Sequence, residues 1–322
     1  MEIGYALSCE EHQPNDLVRY ARVAEESGLG FALISDHFHP WIDEQGQSPF
    51  VWSVIGGIAQ ATQRLRLGTG VTCPLIRIHP AIIAQAAATS AAMMPGRFFL
   101  GLGTGENLNE HVVGEGWPAP DERLDMLEEA IHVIRTLWEG GEQTFRGDFY
   151  VVEDARIYTL PDELPAIAIA AGKTGAAELA GTLGDALISV APQEGIVEAY
   201  NEAGGDGPCY GQLHVCWAAS EEEAKETAYR VWPNAAVKGD LSQELPRPRH
   251  FQQAAEMVSA DDVAESTICG PDVERYVEEI RAFGDAGFDH VYIHQVGPDQ
   301  EGFFRFFREE LSPALERELS AA

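Results

Sequence analysis

Short apolar segments alternate with amphipathic segments along almost the whole chain. The apolar segments are short enough to be buried strands, and the amphipathic ones are long enough to be helices. The pattern predicts strands at 3–7, 31–35, 65–72, 98–102, 166–170, 186–190, 213–218 and 290–296. It predicts helices at 15–27, 49–62, 81–94, 121–138, 175–183, 194–203, 221–232, 272–286 and 302–318. Strands that are apolar on both faces are typical of parallel sheets covered by helices.

Eight such β/α units predict a closed barrel of the α/β class, a (β/α)8 TIM barrel, rather than an open sheet. The chain has 322 residues, more than the ~250 residues typical of such a barrel, so insertions are expected. We predict a single domain over 1–322, with a hairpin-like insertion near 142–158 and a second insertion near 233–267.

The charge balance excludes several classes of partner. The chain has 21 Lys and Arg against 52 Asp and Glu, a formal net charge of −31. Nucleic acids and anionic membrane surfaces bind clustered positive charge, so neither is an expected partner. The acid is spread along the whole chain. This distribution favours a halophilic source, where salt screens the self-repulsion.

The cysteines and the N-terminal residues indicate a cytoplasmic protein. There are five cysteines, an odd number, with irregular spacing and no Cys-x-x-Cys, which is typical of reduced thiols rather than of disulfides or a zinc site. The first residues lack a basic segment followed by an apolar one, so no signal peptide is expected. The most apolar helical segment, 81–94, is too short and too polar to span a bilayer.

The segment 97–110 carries the first candidate chemistry. A buried strand ends there in Gly101, Gly103 and Gly105, and Glu106 and Asn109 follow at once. Glycines let a flat or phosphorylated ligand approach the backbone. Barrel enzymes carry their active sites at this end of their strands.

The end of the second predicted strand carries the second candidate. It reads Ser-Asp-His-Phe-His-Pro-Trp over 35–41, so that Asp36 and His37 emerge at the same end of the barrel as Glu106. A histidine offers a base that titrates near neutral pH, and Trp41 offers an aromatic wall. A metal site built from Asp36, His37 and His39 lacks a third distant ligand and is disfavoured.

Two apparent nucleotide motifs fail. Residues 101–106 lack the third glycine of G-x-G-x-x-G, and the Gly-Lys-Thr at 172–174 lacks the first glycine of a P-loop. Gly172 still lies between a strand and a helix start, where free N–H groups can hold a phosphate. A simple turn is the alternative there. Glu10 follows the first predicted strand and His294 lies at the end of the eighth, but each alone is more typical of packing or solvation.

Together these segments resemble the luciferase-like monooxygenase superfamily, and within it the coenzyme F420-dependent glucose-6-phosphate dehydrogenase group. The resemblance is carried by 35–41, by Leu-Gly-Thr-Gly-Val-Thr at 67–72, by 79–85, by 101–110 and by Ala-Ala-Gly at 170–172. It implies a coenzyme F420-dependent oxidoreductase that moves a hydride between an alcohol (a sugar, a sugar phosphate or another secondary alcohol) and the deazaflavin, and that forms a homodimer.

The resemblance also implies roles for individual residues. His37 would take the hydroxyl proton, Glu106 would be an acid beside the ring, and Trp41 and Glu10 would position substrate and charge. The residues that would line the cofactor are Asp36, Gly70, Val71, Thr104, Gly105, Glu106, Asn109, Ala171 and Gly172. A bulge with a non-proline cis peptide is implied at Gly70–Val71.

The chain departs from the group in one respect. The lysines that clamp a sugar phosphate are absent from 189–194 and 250–254, although Arg247, Arg249 or Lys238 could replace them. A neutral sugar or a secondary alcohol is therefore at least as well supported as a sugar phosphate. The alternatives to F420 chemistry are an FMN-dependent luciferase-like monooxygenase and a non-catalytic flavin-binding subunit.

Overall fold

Eight parallel strands close into a barrel in the computed structural model, which describes residues 1–319. The strands are β1 (Glu2–Leu7), β2 (Phe31–Ile34), β3 (Arg66–Thr69), β4 (Phe98–Leu102), β5 (Gln143–Arg146), β6 (Val151–Ala155), β7 (Ile167–Ala170), β8 (Ala186–Ser189), β9 (Cys209–Cys216), β10 (Ile268–Cys269) and β11 (His290–Gln295). The order around the barrel is β1-β2-β3-β4-β7-β8-β9-β11, and β11 pairs with β1 to close it. The predicted (β/α)8 fold is confirmed.

Helices cover the outside of the barrel. They are α1 (Pro14–Glu26), α2 (Val51–Ala61), α3 (Pro80–Met93), α4 (Asn107–Glu110), α5 (Pro120–Trp138), α6 (Thr174–Leu183), α7 (Glu194–Glu202), α8 (Glu221–Val231), α9 (Leu241–Glu244), α10 (Pro248–Ala255), α11 (Ala260–Ser266), α12 (Val273–Asp285), α13 (Gln300–Phe306) and α14 (Ser312–Leu319). Short 3-10 turns lie at His111–Val113 and Pro233–Ala236, and a π-helical turn joins α13 to α14. No helix within residues 1–319 combines the length and the apolar character needed to cross a bilayer.

The strands separate two apolar cores, because successive side chains of a strand point to opposite faces. Alternate residues such as Leu7, Leu67 and Ile293 pack outward against the helices in the large core. The residues between them fill the barrel with a smaller core of Ala6, Phe31, Leu33, Phe99, Ala168, Ala186, Ile188, Tyr210 and Tyr292. This alternation decides which residues near the strand ends face the interior.

The seventh barrel strand, β9, begins earlier than the sequence pattern predicts, at Cys209 instead of 213. Glycine and proline at 207–208 and a further glycine, Gly211, suggest a loop in the sequence. Gly211 is required in this strand because a Cβ there would lie 2.3 Å from the Phe283 ring of α12. A helix that packs closely on the sheet thus overrides the local preference.

The two insertions sit on this frame. Near 142–158, β5 and β6 form an antiparallel hairpin. The segment 233–267 contains α9, α10 and α11, and Phe251 of α10 packs against Trp41 with ring centroids 5.1 Å apart. The second insertion therefore reaches the end of the barrel where the strands have their carboxyl termini, which we call the mouth.

Candidate active site

Small residues form one wall of the mouth. The interior positions at the carboxyl ends of β3, β4 and β7 are Gly70, Gly103 and Ala170, and the exposed Gly172 follows β7. A Cβ at Gly103 would lie 2.7 Å from the Cγ2 of Val71, so this wall is closely packed and flat. A Cβ at Gly172 would meet no atom within 4 Å, so the backbone there is open to approach.

The glycines of the segment 101–105 have a structural reason that the sequence does not reveal. A Cβ at Gly101 would lie 1.9 Å from the carbonyl oxygen of Thr69, and one at Gly105 would lie 2.5 Å from the Sγ of Cys73. Gly105 also has a φ of +71°, which favours glycine. These glycines therefore let β4 pack against the chain after β3. That chain includes the Gly70–Val71 peptide, which is cis.

Ionisable residues form the adjoining wall, after β1 and β2. Glu10 after β1 and His37 after β2 lie in contact, with His37 Nε2 3.2 Å from Glu10 Oε1. The hydroxyls of Ser8 and Ser35 donate to the other carboxylate oxygen of Glu10 at 2.9 and 2.6 Å. Burial alone would raise the pKa of Glu10, but His37, Ser35 and His294 together hold that pKa below its ordinary value. Glu10 is therefore a carboxylate that is positioned to share a proton with His37.

The hydrogen bonds of His37 define where its proton can move. Its Nδ1 lies 3.2 Å from the carbonyl oxygen of His39, which can only accept, so Nδ1 carries a hydrogen. Nε2 then faces Glu10 as the only ring atom that can gain or lose a proton. A lone pair beside a carboxylate attracts a proton, which is the property of a general base. Trp41 packs beside this ring with centroids 5.0 Å apart.

Asn109 links the Glu106 side chain to the His37 loop. Its Nδ2 donates to Glu106 Oε2 at 3.1 Å, and its Oδ1 accepts from the backbone N–H groups of Phe38 and His39 at 2.9 and 3.2 Å. Asn109 is buried, whereas Glu106 is half-buried. The structure therefore brings Glu106 and His37 to the same mouth through one shared amide.

The side chain of Asp36 turns away from the barrel interior. Its carboxylate accepts from Arg77 Nη2 at 2.9 Å and from Thr72 Oγ1 at 2.8 Å, and the Arg77 guanidinium also contacts Glu110 at 3.3 Å. The sequence analysis missed Arg77 and Glu110, although an arginine within the apolar segment after β3 was a usable signal. This buried ion network fixes the loops that carry His37 and Glu106.

The remaining predicted cofactor residues lie around the small-residue wall. Val71 and Thr104 are half-buried, and Val71 packs against the interior core. Ala171 is buried directly before Gly172. No group of three or more His, Cys, Asp or Glu side chains within residues 1–319 is arranged to hold a metal ion.

The two walls fit the deazaflavin that the resemblance implies. A flat ring system can lie against Gly70, Val71 and Gly103, where side chains are small or apolar. An anionic tail can approach the open backbone at Gly172, next to the N-terminus of α6. A substrate hydroxyl would then lie between that ring and the His37–Glu10 pair.

The chain is similar to known proteins over almost its whole length. Residues 1–290 match the family model described as luciferase-like monooxygenase. The chain is 35% identical over 330 residues to an F420-dependent glucose-6-phosphate dehydrogenase of Amycolatopsis mediterranei, covering 98% of each chain. It is 33% identical to the enzyme of the same name from Microbacterium testaceum, again with 98% of each chain covered.

Solved structures add a second line of comparison. An F420-dependent secondary alcohol dehydrogenase in complex with an F420-acetone adduct superposes with a TM-score of 0.89 at 33% identity, covering 98% of each chain. The F420-dependent tetrahydromethanopterin reductase of Methanopyrus kandleri superposes with a TM-score of 0.79 at 20% identity, covering 98% of this chain and 100% of that one, and shows the fold alone. The chain belongs to the luciferase-like monooxygenase family.

Proposed function

We propose that this protein is a coenzyme F420-dependent oxidoreductase that oxidises a secondary alcohol to a ketone, with His37 and Glu10 as the proton-accepting pair. The observation that carries the proposal is the His37–Glu10 contact at the same barrel mouth as a wall of glycines and alanine. Relatives and a structural neighbour at 33–35% identity are named as F420-dependent dehydrogenases of a sugar phosphate or a secondary alcohol.

The deazaflavin, when bound, accepts the hydride. The chain supplies the remaining parts of the reaction. His37 Nε2 takes the hydroxyl proton, and the ionised Glu10 stabilises the resulting imidazolium across 3.2 Å. A base whose pKa lies near the working pH accelerates such a step by ~10²–10⁴-fold. Trp41 packs on the His37 ring and excludes water from one side of it.

Glu106 has a different role from Glu10. Asn109 binds it and the loop of His37, but no hydrogen bond within residues 1–319 joins Glu106 to His37 itself. A carboxyl group at the small-residue wall lies where the ring of the cofactor fits, and there it can give a proton to, or take one from, an atom of the ring edge. Asp36 acts through the Arg77 network and positions the loop instead of touching the ring.

A neutral secondary alcohol is favoured over a sugar phosphate by the charges of the chain. Its three lysines are Lys173, Lys225 and Lys238. Lys173 is paired with Asp240 and Lys225 with Glu221, both at 2.9 Å. A phosphate would have to displace such carboxylates in a protein of net charge −31.

A sugar phosphate is the second candidate substrate. Arg247 and Arg249 lie at the start of α10, the helix whose Phe251 packs on Trp41. Both side chains are exposed, and guanidinium groups suit phosphate recognition.

Parallel titration with coenzyme F420 and with FMN tests the cofactor. We expect F420 to bind more tightly, and we expect secondary alcohols to bleach the absorbance of the bound deazaflavin without oxygen consumption. Tighter binding of FMN, with oxygen uptake by the reduced flavin complex, would favour the monooxygenase alternative. Glucose 6-phosphate and 2-propanol compared at equal concentration separate the two substrate classes.

We also propose that the protein is a homodimer, that its source is halophilic and that it is cytoplasmic. Ile82 and Met93 of α3 are exposed apolar residues on one helix, which supports a second copy as their partner. All five cysteines are buried thiols, which supports a reducing compartment. Sedimentation tests the dimer, and thermal unfolding in dilute buffer and in molar KCl tests the salt requirement. A monomer whose melting temperature is the same in both buffers would contradict both proposals.

A further inference from the structure

A second histidine–glutamate pair lies beside the first. Glu11 follows Glu10 directly in the chain, and its Oε2 lies 2.9 Å from His294 Nε2 on β11. The side chains of His294 and Glu11 are 3% and 5% exposed. The two consecutive carboxylates thus contact different histidines: Glu10 contacts His37, after β2, and Glu11 contacts His294, on β11.

His294 continues to a third group, His214 of β9. The Nδ1 atoms of the two rings lie 3.0 Å apart. Both histidines occupy interior positions, since Tyr210 and Tyr292 on the same faces of β9 and β11 belong to the core inside the barrel. Trp232 packs on both rings, with centroids 6.0 Å from His214 and 4.5 Å from His294.

The hydrogen-bond chain couples the protons of the two rings. Glu11 accepts from the N–H of Gly297 at 2.8 Å and from His294 Nε2, so His294 Nε2 carries a hydrogen. One proton is then shared between the two Nδ1 atoms. When His214 donates it, both rings are neutral and His214 Nε2 is an acceptor. When His294 donates it, His294 is a cation and His214 Nε2 carries a hydrogen.

The Nε2 atom of His214, at the outer end of these hydrogen bonds, is open to the barrel interior. His214 is half-buried, and within residues 1–319 no protein atom forms a hydrogen bond to its Nε2. Burial, aided by His294, lowers the pKa of His214 to about 3, so His214 stays neutral and relays a proton rather than keeping it.

His294 is surrounded by other titratable groups. The titratable groups that face it are Glu10, Glu11 and His12 from the segment after β1, and His214 from β9. Tyr5 and Cys216 face Glu11 from the other side. The nearest ionised partner of His294 is therefore the Glu11 carboxylate.

We propose that Glu11, His294 and His214 form a second proton-holding unit of the active site, which takes up a proton at His214 Nε2 and stores it on His294. This inference rests on the proposed function, because alcohol oxidation releases one proton for each hydride transferred. His294 and Glu11 are positioning residues in this scheme, since they act on the reaction through His214 and through the charge near Glu10.

The transfer balances without a further reactant. His214 Nε2 gains a proton from the site, and His214 Nδ1 passes its own to His294 Nδ1. His214 ends neutral with its hydrogen on Nε2, and His294 ends as a cation beside the Glu11 anion. A positive His294 is one of the groups that lower the pKa of Glu10. Loading of the second unit therefore favours release of the proton from the His37–Glu10 pair.

Nitrogen-15 NMR of histidine-labelled protein without cofactor tests the inference directly. As the unit takes up a proton between about pH 8 and about pH 5, we expect the single hydrogen of His214 to move from Nδ1 to Nε2. His294→Gln should abolish the exchange of the His214 tautomer. A His214 ring that keeps its hydrogen on one nitrogen across the whole range would overturn the proposal, whatever the cofactor of the protein proves to be.

The pH profile of kcat/KM with F420 and a secondary alcohol is the second readout. Removal of the His294 charge leaves the Glu10 pKa higher. His294→Gln should therefore move the acid limb of the kcat/KM profile to higher pH, by at least about half a pH unit. Tyr292→Phe, one interior position deeper on β11, is the matched control and should leave the limb in place. An unchanged limb in His294→Gln would contradict the coupling, and a wild type that does not bind F420 would contradict the proposed function alone.

Discussion

The two histidine–glutamate pairs that flank β1 use the same residue types but differ in what the second ring nitrogen contacts. His37 Nδ1 faces a backbone carbonyl at 3.2 Å, whereas His294 Nδ1 faces the imidazole of His214 at 3.0 Å. A carbonyl cannot donate, so it fixes the hydrogen of His37 and leaves Nε2 as the one exchanging atom. An imidazole can both donate and accept, so it lets a proton pass from His214 to His294. The contact of Nδ1 therefore distinguishes His37, a base, from His294, a group that stores a relayed proton.

Loss of the first pair's histidine should have the largest effect. His37→Ala removes the ring nitrogen that contacts Glu10 at 3.2 Å, and we expect kcat to fall by about 10²- to 10⁴-fold. His294→Ala should reduce kcat by less than about tenfold at the optimum pH, because its ring acts through His214. Single-turnover bleaching of the deazaflavin measures both, with F420 affinity as the control for folding. Equal losses in the two variants would abolish the distinction between them.

The consecutive glutamates permit a matched pair of variants, each of which removes one negative charge. Glu10→Gln keeps an acceptor for Ser8 and Ser35 but removes the anion beside His37, and we expect a loss of kcat of about 10- to 100-fold. Glu11→Gln removes the anion beside His294 instead, and it should change the pH profile more than the maximum rate.

Steady-state rates measured from about pH 5 to about pH 9 separate these two results. The distinction fails if Glu11→Gln lowers the maximum rate as strongly as Glu10→Gln.

The hydroxyl of Ser35 sharpens the comparison, because the first pair depends on it. Its hydrogen bond to Glu10 at 2.6 Å favours the ionised carboxylate. Ser35→Ala should raise the apparent pKa of the pair by about 1 unit, since a hydrogen bond to a charged group contributes ~1.5 kcal/mol. The acid limb of kcat/KM should move upward accordingly. Thr182→Ala, on the outer helix α6, is a control that should move nothing.

The stability of the protein in acid should depend on His214, the third residue of the second unit. The folded-state pKa of His214 lies at about 3, below its ordinary value of 6.5, so the unfolded chain binds the extra proton first. The free energy of unfolding should therefore decrease as the pH falls below about 6.5, and His214→Gln should reduce that dependence. Urea unfolding at two pH values measures the slope. The exposed His132 provides the control, because His132→Gln should leave the slope unchanged.

The position of the chemistry along the chain was accessible from the sequence. Apolar segments in a β/α alternation specify the barrel, and they place His37 and Glu106 at strand ends that share one mouth. The fold and the family are confirmed by the structure and the relatives. The individual roles of the predicted site residues stay predictions.

The contacts between these residues were decided only by the tertiary structure. The sequence places Asp36 beside His37 but does not show that Asp36 turns outward to Arg77, because that depends on the loop after β3. It gives no sign that Glu11 meets His294, which lies 283 residues away. Local periodicity fixes which face of a strand a side chain occupies. Only the pairing of β1 with β2 gives Glu10 the imidazole of His37, and only the closing of β11 against β1 gives Glu11 that of His294.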